Sequence, residues 1–281
     1  MDNSTFLKRH PVAAYFILAY AISWLIWTPL VASAQGWLDT QIPAGAHFLG
    51  AFGPLLAALI VTGSTGSAAS LRELVGRMVR WRVGLRWFLI ALFSPALLFL
   101  LAMTILRTWN GMWPDFNQFG RILEFPGLGW MAAWIFWTVT FGIGEETGWR
   151  GCALPRLQKD RSALSATLIL CVLWAFWHLP MFFYKENYMN MGIGGALGFF
   201  FTLLPGTIWL TWLYNSTRGS ILMVALWHGA WNTALAGAEG EVPMMMSIFI
   251  MVAAVLIWVV AGPARLSRSD KHTLSPGGAL V

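Results

Sequence analysis

Two adjacent carboxylates, Glu145 and Glu146, close a long apolar run in the stretch FGIGEETGWRG, and Arg150 stands four residues beyond Glu146. Two further polar sets interrupt apolar runs: His178 in LWAFWHLP, and His228 with Asn232 four residues on in LWHGAWN. Ionisable groups at membrane depth are costly and ordinarily face a bundle interior or a wet cavity. Neighbours on a helix point about 100° apart, so the two glutamates cannot serve one role on one face. The spacing of Glu146 and Arg150 suits a same-face ion pair, which leaves Glu145 to face a cavity. A solvated helix end is the competing reading of the pair. A lone buried histidine is more often a packing residue than a catalyst, but two histidines, an amide and a carboxylate on three apolar runs most simply satisfy one another around a shared wet cavity.

That set suits hydrolysis. A glutamate in an apolar pocket is a competent general base that takes a proton from water, with His178 holding or sharing that water. As water adds to a peptide carbonyl, charge grows on oxygen and needs a placed donor, which the Asn232 amide and a His228 ring N–H can supply. No nucleophilic serine or cysteine is required, and no G-x-S-x-G elbow is present. Two histidines and a glutamate also suit zinc with an open position, but H-E-x-x-H is absent, so zinc is permitted without being required.

The motifs in order resemble a known family. EETGWR fits the E-E-x-x-x-R motif of the CPBP family, the CAAX prenyl proteases and bacteriocin-processing proteins also called Abi. WAFWH matches its second motif, an aromatic residue four before a histidine, and HGAWN its third, H-x-x-x-N. The resemblance covers residues from about 120 to 236 and implies an intramembrane endopeptidase. Glu145 would be the water-activating base, His178, His228 and Asn232 the oxyanion stabilisers, and Glu146 with Arg150 a supporting pair. It implies no cofactor and glutamate rather than metal dependence. Trp174 stands where the family usually has phenylalanine, and reads as an aromatic filler. Eukaryotic relatives remove the last three residues from prenylated C-a-a-X tails. The substrate class is therefore a peptide or membrane protein, with or without a prenylated C-terminus.

These residues need a membrane-spanning frame, and composition provides one. The chain has 281 residues, 58% hydrophobic and 11% charged, where a soluble domain carries about 25% charged residues. Runs of about 20 apolar residues, long enough to cross a bilayer, occur at residues 11–33, 44–63, 87–106, 128–148, 163–183, 192–214, 219–237 and 243–262. The expected fold is therefore all-α, a single polytopic membrane domain over 1–281 with about eight transmembrane helices. With the N-terminus inside, fifteen basic residues fall inside and only Arg107, Arg121 and Lys185 outside, so the positive-inside rule puts both termini in the cytoplasm. A bacterial cytoplasmic membrane is the expected location.

The net charge of +6 is spread between apolar runs rather than along one stripe, which argues against nucleic acid. The first run is longer than the 7 to 15 residues of a signal-peptide core and reads as an uncleaved helix despite VASAQ. Residues 71–87 mix arginines with apolar residues and read as interfacial, and Gly194 with Gly198 as close helix packing. Cys152 and Cys171 read as ordinary thiols; His10 and His272 lie in tails and His47 at a span's outer edge, with no role assigned. Residues 264–281, ending SPGGALV, read as a short flexible cytoplasmic tail.

Depth poses a difficulty. Measured at 1.5 Å per residue from the nearest basic residue, Glu145 lies about 8 Å in from Arg150, His228 about 15 Å from Arg218, and His178 about 26 Å from Arg161. The fifth helix must begin in the cytoplasm, tilt or bend, with Pro180 contributing. Two rival functions remain at this level, a small-molecule transporter and a non-catalytic membrane partner or immunity protein that kept the fold.

Overall fold

The structure is a computed structural model in which residues 6–111, 113, 119–236, 238 and 241–274 are described. Among these residues all regular elements are helical. The principal helices are α1 (Pro11–Ala34), α2 (Gly53–Thr65), α3 (Ala68–Met78) and α4 (Leu85–Asn110). A composite α5 then runs through Trp130–Trp137, Thr138–Glu145, Glu146–Gly148, Trp149–Ala153 and Leu154–Gln158. It is followed by α6 (Ala163–Trp177), α7 (Gly192–Ser216), α8 (Ile221–Leu235) and α9 (Glu241–Ala261). Short turns precede α2 at Ala44–Ala46 and His47–Gly50 and follow α6 at Leu179–Phe183.

The protein is a polytopic all-α membrane protein. Among the described residues six helices are long and apolar enough to cross a bilayer by length and composition, where eight spans are expected from sequence. The two expected runs that fall outside this set are α5 and α8, which carry the polar residues singled out above. Glu145, Glu146 and Arg150 interrupt the apolar run of α5. The helix α8 has only 15 residues, about 22 Å of rise against a hydrocarbon core of about 30 Å. Both lie inside the bundle, packed against each other. The outer helices turn apolar side chains outward, with Leu97 65%, Phe201 72% and Val259 71% exposed. In lipid, such faces are the favourable ones.

Neighbouring helices pack in series. α1 packs on α2, α2 on α5, α5 on α8, α8 on α4, α4 on α9, α9 on α7 and α7 on α6. Interhelical polar contacts pin them: the Thr167 hydroxyl donates to Thr211 Oγ1 at 2.9 Å, and the side-chain amides of Gln158 and Asn215 exchange hydrogen bonds at 3.2 and 2.8 Å. Arg77 on α3 is buried, pairs with Glu73 and donates to the Tyr214 hydroxyl and the Gly151 carbonyl. That carbonyl belongs to a π-helical part of α5.

The depth difficulty has a structural cause. Arg150 does not mark a membrane face; it is fully buried, and α5 continues to Gln158. Counted from Gln158, Glu145 lies about 20 Å along its helix, and counted from Ala163, His178 lies about 22 Å along α6. The inside total of fifteen therefore includes Arg150, which belongs to the bundle interior, and Arg77, which is buried as well. Pro180 does not kink α6, because the α-helix already ends at Trp177 and Pro180 sits in the following 3-10 turn.

Residues 263–274 make specific contacts. The first amides of a helix lack intrahelical acceptors; those of Ala163 and Leu164 donate to the Ala264 and Pro263 carbonyls at 2.9 and 3.0 Å. Leu266 is fully buried, and the His272 carbonyl accepts from Gln158 Nε2 at 2.9 Å. The ending SPGGALV lies outside the described residues. Burial, then the neighbouring Arg80 and Arg77, push the His272 imidazole down to about 4, from about 6.5 in an unfolded chain. The docked segment thus holds the neutral ring: its stability is complete above about pH 6.5 and declines as pH falls toward 4. Hydrogen exchange over 264–274, corrected for intrinsic rate, is expected to be faster at pH 5 than at pH 7.5 in wild type and pH-independent in His272→Leu. Equal protection at both pH values in wild type would contradict this.

Candidate active site

The site is built on the crossing of α5 and α8, where backbones come very close. A Cβ on Gly142 would sit 2.6 Å from the Ala225 carbonyl oxygen, and one on Gly229 would sit 2.1 Å from Thr138 Oγ1 and 2.8 Å from its backbone. Only glycine fits at either position, and the close approach brings His228 Nδ1 to 2.8 Å from Glu146 Oε1. Gly229→Ala must separate the helices. Overpacking of this kind costs about 1–3 kcal/mol, so a lowered thermal midpoint in detergent is expected, together with loss of any activity that depends on the pair. An unchanged midpoint would show that the crossing is looser than described.

Two parts of α5, Thr138–Glu145 and Trp149–Ala153, are π-helical. Such segments insert residues into the helix and re-aim side chains, often at functional sites. Here they flank Glu146–Gly148 and set the directions of both glutamates. Glu146 is fully buried, and its Oε1 accepts from Arg150 Nη1 at 3.0 Å as well as from His228. The i, i+4 pair expected from spacing is present. Glu145 turns elsewhere: its Oε2 accepts from the indole N–H groups of Trp174, at 2.8 Å, and Trp149, at 3.1 Å. Both donors fall on one oxygen, and no side chain among the described residues hydrogen-bonds Oε1.

Trp174 is a hub rather than a filler. Its ring centroid lies 5.5 Å from that of His178 and 6.0 Å from that of His228, and the Arg150 guanidinium stands over it at 4.8 Å. A phenylalanine would keep the ring contacts but not the N–H. His178 caps the C-terminus of α6, where its Nδ1–H donates to the Trp174 carbonyl at 2.7 Å. A carbonyl only accepts, so the neutral ring carries its proton on Nδ1 and presents a bare Nε2. His178 in that form is an acceptor for water, and is an oxyanion donor only when doubly protonated. His228 likewise commits Nδ1, here to a carboxylate.

Glu145, His178, His228 and Asn232 all line one cavity of about 570 Å³, a size usual for small-molecule and peptide-end sites. All four site residues therefore share one hollow, with Glu146 and Arg150 behind it. Asn232 lies one helical turn beyond His228 and is half-buried. Sequence reading left out His47, which also lines the cavity, is buried against Trp27 and hydrogen-bonds through Nδ1 to the Tyr184 hydroxyl at 2.5 Å. It also left out the Trp149 and Trp174 donors. Among the described residues no three His, Cys, Asp or Glu side chains are grouped as a metal would need. The Nδ1 atoms of His178 and His228 are already engaged within the protein.

Residues 127–234 match the family model of type II CAAX prenyl endopeptidase, Rce1-like. Over this core the chain is similar to the type II CAAX prenyl endopeptidases. The chain is also similar to a CAAX prenyl protease 2 from Methanococcus maripaludis, with 32% identity over 120 residues, or 40% of this chain and 44% of the relative. It thus spans less than half the length of that relative. The matched stretch contains α5, α6, α7 and nearly all of α8, the helices that carry Glu145, His178, His228 and Asn232.

Proposed function

We propose that this chain is an intramembrane endopeptidase that hydrolyses a peptide bond with water activated by Glu145. The observation that carries this reading is the anchoring of Glu145 Oε2 by two indole N–H groups on the wall of the cavity shared with His178, His228 and Asn232. A carboxylate fixed by one oxygen keeps the other for water, the geometry a general base needs.

In this mechanism a water in the cavity is held between Glu145 Oε1 and His178 Nε2. Glu145 takes one proton as the water oxygen adds to the scissile carbonyl. The negative charge on the carbonyl oxygen is met by the Asn232 amide, and by His228 Nε2–H when that ring is charged, with Glu146 as its counter-ion. Glu145 then gives the proton to the leaving nitrogen as the C–N bond breaks, releasing a carboxylate and an amine. Trp149 and Trp174 act as positioning residues, since they touch Glu145 and not the reacting atoms. Aromatic and aliphatic lining residues, among them Trp137, Phe141, Phe199 and Leu203, suit an apolar peptide segment or a prenylated end. The orientation that fits the basic residues places both termini in the cytoplasm.

The test is cleavage of a peptide panel, prenylated and unprenylated, by purified protein in detergent. Wild type is expected to cut with or without a chelator. Loss on chelation that zinc restores would move the reaction to a metal. Within the same assay Trp174→Phe is expected to lower kcat about tenfold with KM little changed, the equivalent of one hydrogen bond to a charged group. An unchanged kcat would show that the Trp149 donor suffices alone.

A further inference from the structure

A second cavity, of about 430 Å³, shares no lining residue with the first and lies between the start of α4, the ends of α7 and α9, and residues 267–269. Its polar wall is made by Arg86, Ser216, Ser267, Arg268 and Ser269, and its apolar wall by Ile90, Leu256, Ile257 and Val260. No carboxylate lines it among the described residues. Among the described residues Arg86 contacts the ring of its neighbour Trp87, with the guanidinium 4.8 Å from the centroid, and makes no ion pair. The one acid nearby in sequence, Asp270, is taken by Arg265 at 2.9 Å. Ser267 is buried and its hydroxyl shares a 3.1 Å hydrogen bond with Ser216, while accepting from the Ser269 amide at 2.9 Å.

Two arginines with no acid between them, a fixed pair of hydroxyls, and an apolar wall that continues onto lipid-facing positions (Leu256 is 57% and Val260 63% exposed) describe a receptor for an amphiphile with an anionic head. We propose that this cavity binds the phosphate headgroup of an anionic phospholipid, with Arg86 and Arg268 as counter-ions, whichever hydroxyl of the Ser216–Ser267 pair keeps its proton free as donor, and an acyl chain along Ile90, Leu256 and Val260. Basic pockets between the ends of membrane helices recognise such headgroups by this chemistry. The docked segment 264–274 supplies one wall, so lipid and tail support the same end of the bundle. The site is independent of the proteolytic reading and contains none of its residues.

The experiment uses the full chain in neutral detergent. Native mass spectrometry and thermal midpoints are recorded with phosphatidylglycerol, phosphatidylcholine or inorganic phosphate. Wild type is expected to retain phosphatidylglycerol and rise in midpoint, and to do neither with phosphatidylcholine. Arg86→Gln/Arg268→Gln is expected to bind phosphatidylglycerol about thirtyfold more weakly, the fold-change two basic contacts supply at an anionic surface, while Arg86→Lys/Arg268→Lys retains most of it. Equal retention of the two lipids by wild type overturns the proposal, an outcome that needs no variant. So does undiminished binding by the glutamine variant, and so does stabilisation by phosphate alone that matches the lipid.

Discussion

Glu145→Gln is expected to lower peptide cleavage by about 10²–10⁴-fold, the usual contribution of a general base, while leaving the thermal midpoint close to that of wild type. The substitution is isosteric, and the glutamine oxygen still accepts from the Trp149 and Trp174 indoles if it takes the place of Oε2. What it loses is the ability to take a proton from water. Binding of substrate should survive, so the loss belongs in kcat. Glu145→Asp keeps the charge but withdraws it by a methylene from both indoles, and should fall between the two. A Glu145→Gln protein that cuts at the wild-type rate would remove Glu145 from the chemistry whatever its position.

Glu146 produces the second large effect, and mainly in stability. Its carboxylate is the partner of the fully buried Arg150 and of His228 Nδ1. Removing one member of a buried ion pair typically costs about 3–5 kcal/mol, because the other charge is left uncompensated. Glu146→Ala is therefore expected to fold poorly or melt well below wild type. Replacing both members, as Glu146→Gln/Arg150→Met, removes the stranded charge, and most of the stability should return. Activity should not return with it, because His228 has lost its counter-ion; a deficit of about 10²-fold is expected, the size seen when one oxyanion donor is removed. Recovery of both would mean that Glu146 serves only the fold. If the double variant is no more stable than Glu146→Ala, then Arg150 does not depend on Glu146.

Much of this site could be read from spacing. Membrane depth makes every ionisable side chain conspicuous, so Glu145, Glu146, His178 and His228 stood out against apolar surroundings, and the i, i+4 interval of Glu146 and Arg150 implied their pair. What escaped was whatever depends on direction or on contacts between distant segments. The hydrogen bond from His228 to Glu146 joins residues 82 apart in sequence. The π-helical turns that aim Glu145 at the cavity leave no periodic signature. Trp174 was legible as an aromatic ring beside His178, but nothing in spacing shows an indole N–H pointing at a carboxylate. His47 lay at the end of an apolar run and became part of the cavity only when the α2 region packed on α5. Arg150 misled because a basic residue at the end of an apolar run ordinarily marks the membrane face; a carboxylate four residues back had instead made it an interior residue. The helix count shows the same bias, since α8 is too short and α5 too polar to meet the criteria that the lipid-facing helices satisfy.

The central claim, that Glu145 delivers water directly to the peptide carbonyl, is tested most directly by a single turnover in ¹⁸O-labelled water followed by rapid quench and mass spectrometry. The mechanism requires one ¹⁸O atom in the new product carboxylate, none in the side chain of Glu145, and no acylated protein at any time. A transient adduct on the chain, or label appearing in the Glu145 carboxylate, would contradict it.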